Sequence, residues 1–138
     1  MIHQQLLTDC HLLGHLVTGA LLLHRNPALP WFILVPATEI QDILDLPPPQ
    51  RDAIVADCAR VSAFLKRELK CAKVNFAGLG NQVPQMHLHV IGRRVGDACW
   101  PQPVWGNLPE AAAAYEDAQL ADWQHRLRES CGLRVAEG

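Results

Sequence analysis

From Gln85 to Ile91 the chain alternates polar and apolar residues, the period of a strand with one wet face and one buried face. Gln85, His87 and His89 then point one way, and Met86, Leu88 and Val90 point the other way, into a core. Successive members of the polar row stand ~6–7 Å apart. Two imidazoles and an amide in a row are more than a solvated strand face needs. They follow an unusual loop, Gly78-Leu79-Gly80-Asn81-Gln82-Val83-Pro84. Residues 85–91 are therefore predicted to be a central antiparallel strand with chemistry on its polar side.

The rest of the chain arranges itself around that strand. Residues 3–13 carry Leu6, Cys10 and Leu13 at helical or turn spacing ahead of Gly14, a short and weakly signalled element. Val17 to Leu23 is a compact apolar run, and Trp31 to Pro36 is a β-rich run stopped by proline. The loop between them holds Pro27 and Pro30, which cannot sit in a ladder interior, so the two runs are predicted to form an antiparallel hairpin. Thr38 to Leu46 is mixed, with Ile40, Ile43 and Leu44 spaced for one or two helical turns, and Pro47-Pro48-Pro49 is a linker or the first turn of a helix. Ile54, Cys58, Val61, Leu65 and Leu69 recur at steps of four, three, four and four, with Asp52, Asp57, Arg60, Lys66 and Arg67 on the opposite side. That pattern predicts an amphipathic helix over about 50–69 lying on a sheet.

Lys73 to Ala77 alternates as a further strand. After the motif, Gly96-Asp97 makes a turn, and Trp100 to Gly106 is too rich in proline for regular structure and reads as an extended aromatic arm. Pro109 to Cys131 is predicted to be the last helix, with Pro109 in its first turn, a stripe of Ala113, Leu120, Trp123 and Leu127, and Gly132 as its stop. Strand, strand, helix, strand, strand, helix is the order of an α+β fold, an antiparallel sheet with helices on one face.

Composition excludes several functions. The net charge of −2 advertises no basic surface for nucleic acid or an anionic membrane. The first residues lack the basic region of a signal peptide and no apolar run approaches membrane-spanning length, so the expected address is the cytoplasm. Cys10, Cys58, Cys71, Cys99 and Cys131 are odd in number and never in C-x-x-C spacing, which signals neither a zinc knuckle nor a redox dithiol; several of them, in apolar surroundings, are expected to fill the core.

Two chemistries compete for His87 and His89. Alternating histidines can chelate a metal, but a tetrahedral site needs further ligands, and only His24 has a route to it; there is no HExxH pattern and no carboxylate near the motif. The other chemistry is nucleophilic attack on phosphorus by a neutral imidazole, with polar neighbours holding its tautomer and meeting the phosphate charge. The loop 78–83 supplies glycines for close backbone approach to an anion, together with the amides of Asn81 and Gln82.

Gly80-Asn81-Gln82-Val83-Pro84-Gln85-Met86-His87-Leu88-His89-Val90-Ile91-Gly92-Arg93 resembles the signature of the histidine triad (HIT) superfamily of nucleotide hydrolases and transferases, His-φ-His-φ-His-φ-φ with φ apolar. The stretch from His24 to Pro36 is similar to that family's nucleotide-binding hairpin, and Lys73-Val74-Asn75 to its third strand. The likeness covers about residues 17–105 and points to the short bacterial members labelled diadenosine tetraphosphate hydrolase-like, which share a Trp-Pro-x-Pro-Val-Trp tail.

The resemblance implies a single HIT domain over 1–138, with its core at about 17–105 and a C-terminal helix at about 109–131. It implies about five antiparallel strands, two main helices, and a sheet extended across a homodimer. Trp31, Trp100 and Trp105, more aromatic surface than a small monomer usually exposes, agree with a dimer. His87 becomes the middle histidine, which forms a nucleotidyl-imidazole intermediate, and His89 the last, which contacts phosphate or leaving group. Gln85 replaces the first; it can donate and accept hydrogen bonds but cannot carry a proton.

His24 falls where a residue meets the ribose, and Asn75 and Asn81 where polar groups frame the phosphate; Asn26, Gln82, Arg93 and Trp105 are further substrate-binding candidates. Arg93 and Arg94 either meet distal phosphates or end the strand in solvent. Trp105 lies in an arm that in related proteins reaches the partner subunit's site. Trp31-Phe32, where the family often has Gly-His, either lines the base pocket or packs at a dimer edge.

The implied function is a nucleotide phosphohydrolase or nucleotidyl transferase acting on a purine nucleotide or dinucleoside polyphosphate through His87. The alternatives are a nucleotide-binding module with little turnover, because the first histidine is Gln85, and a metal-dependent enzyme with His87 and His89 as ligands. No cofactor is required on the main reading, although Mg²⁺ accompanies a polyphosphate substrate. The expected partners are a nucleotide and a second copy of the chain, with no nucleic acid and no membrane.

Overall fold

Strand alternation does most of the sorting in this protein. The computed structural model describes residues 1–135. In chain order these form α1 (Gln4–Asp9), β1 (Cys10–His15), β2 (Gly19–His24), β3 (Trp31–Pro36), a 3₁₀ turn (Ile43–Asp45), α2 (Pro48–Arg67), β4 (Lys73–Ala77), β5 (Leu88–Arg93) and α3 (Asp117–Cys131). The strands make one antiparallel five-stranded sheet in the order β1-β2-β3-β5-β4. This is the α+β architecture expected.

Alternate residues of the interior strands enter two separate apolar clusters. Leu21, Leu23, Phe32, Leu34, Leu88 and Val90 pack against Ile54, Val61, Phe64 and Leu65 of α2 and against Trp123 and Leu127 of α3. Ala20, Leu22, Trp31, Ile33, Val35 and Ile91 face the other way, where Leu6 of α1, Val83 and Val104 cover them. Met86, Leu88 and Val90 are buried beneath α2, as the alternation predicts. The polar face of the motif is not wet: α1 and the arm after β5 close over it, leaving His87 7% and His89 5% exposed.

The structure corrects several sequence expectations. β5 begins at Leu88, not at residue 85. Pairing with β3 starts at Leu34 opposite Leu88, and pairing with β4 at Ala77 opposite His89. Upstream, the Gln85 carbonyl meets the His87 ring instead of a ladder partner. α3 starts at Asp117 rather than Pro109, and Ala113 lies outside it: residues 109–114 are exposed, so helix propensity there has no packing to support it. The weak element at 3–13 is α1 plus edge strand β1, whose alternation breaks at a register shift between Leu12 and Gly14. The strand read from Val17 starts at Gly19, with Val17 exposed in the preceding turn.

Asp57, placed by periodicity on the solvent side of α2, is 1% exposed. Its carboxylate accepts from the Thr18 amide at 2.9 Å and hydroxyl at 2.6 Å, and from Arg60 at 2.8 Å. It ties the β1–β2 turn to the helix. The stop at Gly132 is as expected, with the residue left-handed at φ 70° just after α3. Among the described residues no helix is long and apolar enough to cross a membrane.

Candidate active site

The register of β3 against β5 sets the site. Ile33 lies opposite His89 and Trp31 opposite Ile91, so Trp31 and His89 are diagonal neighbours on one face. The indole Nε1–H donates to His89 Nδ1 at 2.9 Å. An indole nitrogen only donates, so Nδ1 is the acceptor, and the ring proton sits on Nε2, which donates to the Leu79 carbonyl at 3.2 Å. Burial pushes the His89 pKa down to about 4, with the Leu79 bond opposing that shift and His87 and His24 adding to it. His89 is therefore neutral, fixed in one tautomer and bonded at both nitrogens.

This has a measurable signature. A His89 imidazole followed by NMR should titrate near pH 4. Because the unfolded ring takes its proton near 6.5, stability should be complete above that pH and fall by about 1.4 kcal/mol per unit as pH drops from 6.5 to about 4. Trp31→Phe removes the donor and frees Nδ1, and the midpoint should rise; an unmoved midpoint would show that the indole does not set the tautomer.

His87 precedes the ladder and is held differently. Its Nδ1 lies 2.8 Å from the Gln85 carbonyl oxygen, an acceptor, so Nδ1 carries the proton and the lone pair of Nε2 is left free. The loop backbone lies on this ring: a Cβ at Gly80 would stand 3.3 Å from His87 Cε1 and 3.2 Å from the Val83 carbonyl. The two histidine rings meet edge to face at 5.1 Å.

Two clefts flank His87. The smaller, ≈ 230 Å³, brings together His24, Asn81, Gln82, His87, His89 and Trp105, all predicted from sequence. Its aromatic wall is Trp31, which stacks on His24 at 4.2 Å and 8° and meets the Trp105 ring edge-on at 5.8 Å. Burial lowers the His24 pKa, with Asp9 opposing. α1 adds to the lining through Gln5, Leu6 and Asp9. The larger cleft, ≈ 560 Å³, runs from His87, Asn81 and Gln85 to Gln41, Asp42 and Asp45. Neither cleft is lined by a Lys or Arg.

Other predicted site residues lie elsewhere. Arg93 neither reaches the clefts nor ends in solvent: it is 1% exposed, with Nε and Nη2 on the two Asp97 carboxylate oxygens at 2.8 and 3.0 Å. Its remaining donors reach Asn75 Oδ1 at 3.0 Å and the Gln102 carbonyl at 2.9 Å, and its guanidinium lies over the Trp100 ring. Asn75 is thus a partner of Arg93 and lines neither cleft. Asn26 braces its loop, donating to the Pro109 carbonyl at 2.9 Å and accepting from the Ala28 amide at 3.0 Å. Trp105 closes over its own chain's site, 4.9 Å from the His89 ring, because Arg93 anchors the arm from behind. Trp31 lines the cleft, whereas Phe32, on the opposite face, packs on Phe64 and Trp123 in the core.

Gln85 turns its amide to residues 1–3, accepting from the His3 amide at 2.7 Å and donating to the Met1 carbonyl at 2.9 Å. The α1 wall was missed by sequence because the six-residue helix is too short for a periodic signal. Leu6 and Cys10, at a step of four and both buried, were its one trace.

The sheet, the loop and the paired histidines define a histidine-motif α+β protein. A profile of the HIT domain matches residues 8–96. The chain is 35% identical to a histidine triad protein from Marinobacter aquaeolei VT8, with a TM-score of 0.86 and 96% of each chain covered. It is 36% identical to a histidine triad protein from Bradyrhizobium japonicum, with a TM-score of 0.86 and 95% of this chain and 97% of that one covered. For a histidine triad protein from Sinorhizobium meliloti 1021 the identity is 32%, the TM-score 0.86, and the coverage 94% and 96%. This chain belongs to the histidine triad (HIT) family, a family of nucleotide hydrolases and transferases. No curated protein matches it.

Proposed function

We propose that this protein cleaves a purine nucleotide at its α-phosphate through a covalent intermediate on His87. The observation that carries the reading is the His87 ring, held at Nδ1 by the Gln85 carbonyl, with no bond at Nε2 among the described residues and with the residue lining both clefts. The Nε2 lone pair attacks phosphorus, the P–N bond forms, and the leaving group departs with the electron pair of its bond. The ring, cationic while substituted, keeps its Nδ1–H on the Gln85 carbonyl. Water, or another acceptor, then displaces the imidazole and restores the neutral ring. In the smaller cleft the base packs against Trp31 and Trp105 with His24 beside the ribose, while Asn81 and Gln82 meet the phosphate oxygens.

With no Lys or Arg on either cleft, a substrate with one phosphate fits better than a polyphosphate. For a polyphosphate, Mg²⁺ arriving on the phosphate oxygens supplies the missing positive charge.

One observation favours a second reading, a nucleotide-binding module of low turnover. Gln85 is turned away and both His89 nitrogens are bonded within the chain, so the motif offers the leaving group no proton. The same bonds weigh against His89 as a metal ligand, since its one lone pair is taken by Trp31. Mass spectrometry of protein quenched in acid after mixing with adenosine and guanosine substrates separates the readings. A nucleotidyl adduct supports the enzyme; tight binding without adduct or turnover supports the module.

For assembly we propose a two-fold dimer. Trp31 is buried in the chain's own cleft, Trp105 packs on His89 and Trp100 lies beside Arg93, the last two half-buried, so these rings are engaged within the chain. Its seat is an apolar patch of Val55, Cys58, Ala59, Val74 and Phe76 beside the free edge of β4, where Phe76 is 51% exposed. Light scattering should give a dimer at micromolar concentration and a monomer for Phe76→Asp. A monomeric wild type would refute this. For location we propose the cytoplasm, on the support of five unpaired thiols, four of them buried.

A further inference from the structure

We propose that Gln85 is a positioning residue whose carboxamide latches residues 1–3 and so seats α1 as a wall of the smaller cleft. The inference rests on that cleft being the nucleotide site. The Met1 carbonyl and the His3 amide flank Ile2 and face the same side of an extended segment. Gln85 meets both, at 2.9 and 2.7 Å, as the peptide group of a neighbouring strand would. The partners fix the orientation of the amide, because the N–H needs the oxygen and the carbonyl needs the NH₂.

Among the described residues these are the only hydrogen bonds from residues 1–7 to the chain beyond Asp9. His3 is also the N-cap of α1, its Nδ1 accepting from the Gln5 amide at 3.0 Å. A helix of six residues does not hold itself together, so α1 depends on tertiary ties. Those ties are buried Leu6, 5% exposed, the Arg25 bonds to the carbonyls of Thr8 and Asp9 at its far end, and the latch at its near end. Gln5, Leu6 and Asp9 line the same cleft as His87, so play at the near end becomes play in the wall. A neutral imidazole has one donor and one acceptor, but they point away from each other and cannot meet an N–H and a C=O side by side. Glutamine at the first motif position thus does a task that histidine cannot.

The experiment uses AMP as probe and reads three quantities: AMP affinity by calorimetry, KM against kcat on whichever substrate turns over, and amide exchange across residues 5–9. Gln85→Ala and Gln85→His should each weaken AMP binding by about tenfold and raise KM in step, with kcat little changed and α1 exchange faster. His3→Pro removes the same N–H at a φ of −56° that proline accepts, and should match Gln85→Ala. His3→Ala, which keeps the N–H and loses only the cap, should fall well short of it. Combining Gln85→Ala with His3→Pro should add little to either. Faster α1 exchange with AMP affinity unchanged overturns the proposal, as does Gln85→His that raises kcat without moving KM. If wild-type protein does not bind AMP, the nucleotide reading fails and the positioning role with it, whatever the exchange shows.

Discussion

In His87→Ala no nucleotidyl adduct forms and turnover falls by ~10⁴-fold or more, while nucleotide affinity stays within a few-fold of wild type. On the proposed function the two effects separate, because the residues assigned to hold the nucleotide are not the one assigned to attack it. Trp31, His24 and Trp105 form the aromatic wall and keep their mutual contacts without the His87 ring. The ring itself is the one imidazole of the motif with a free nitrogen, since His89 is bonded at both. Rapid-quench mass spectrometry and steady-state rates check the first part and calorimetry the second. Turnover that survives the substitution would move the chemistry to another residue.

Asp97→Asn is expected to cost about 3–5 kcal/mol of stability, the usual consequence of leaving one member of a buried ion pair unpaired, and to lower Tm by roughly 10 °C or more. The pair is dry, with side-chain exposures of 2% and 4%. The Arg93 guanidinium beside Asp97, with the amides of Arg94 and Cys99, holds the carboxyl down at about 2. The sign follows from that depression. The contribution is complete above the ordinary carboxyl value of 3.8 and is lost as pH falls from there through about 2. Thermal melts at pH 7 and acid titrations should therefore converge for mutant and wild type only at the acid end. A mutant as stable as wild type at pH 7 would mean that the anchor does not hold the arm.

Much of this was legible in the sequence, for reasons that differ by element. β3 and β4 were readable to the residue, as apolar, β-rich or alternating runs with clear stops. The α2 stripe was readable because its steps match one face of a helix. His87, His89, Asn81 and Gln82 were found because they lie together in the chain, and the fold brings His24 and Trp105 to them. What escaped depended on contacts across the fold. Asp57 and Arg93 follow the periodicity of surface groups, yet each is buried by partners that local pattern cannot nominate: Thr18 from a distant turn, Asn75 from the neighbouring strand. Alanines at 111–114 promised helix, but no apolar surface is there to receive one. Gln85 was legible as a departure from the motif; its use was not, because its partners are the backbone of residues 1 and 3.

The start of β5 at Leu88 sets the two histidines of the motif on different kinds of backbone. His89 is part of the ladder, flanked by Ile33 and Ala77, and its backbone opens only when the sheet does. His87, two residues earlier, sits at the end of the 78–87 loop and is expected to open with that loop more readily than the sheet does. His87 is thus expected to shift with the loop while His89 stays with the sheet. Substitutions in the loop and substitutions in the strand should accordingly leave different marks, the first on local exchange around His87 and the second on the global unfolding of the domain.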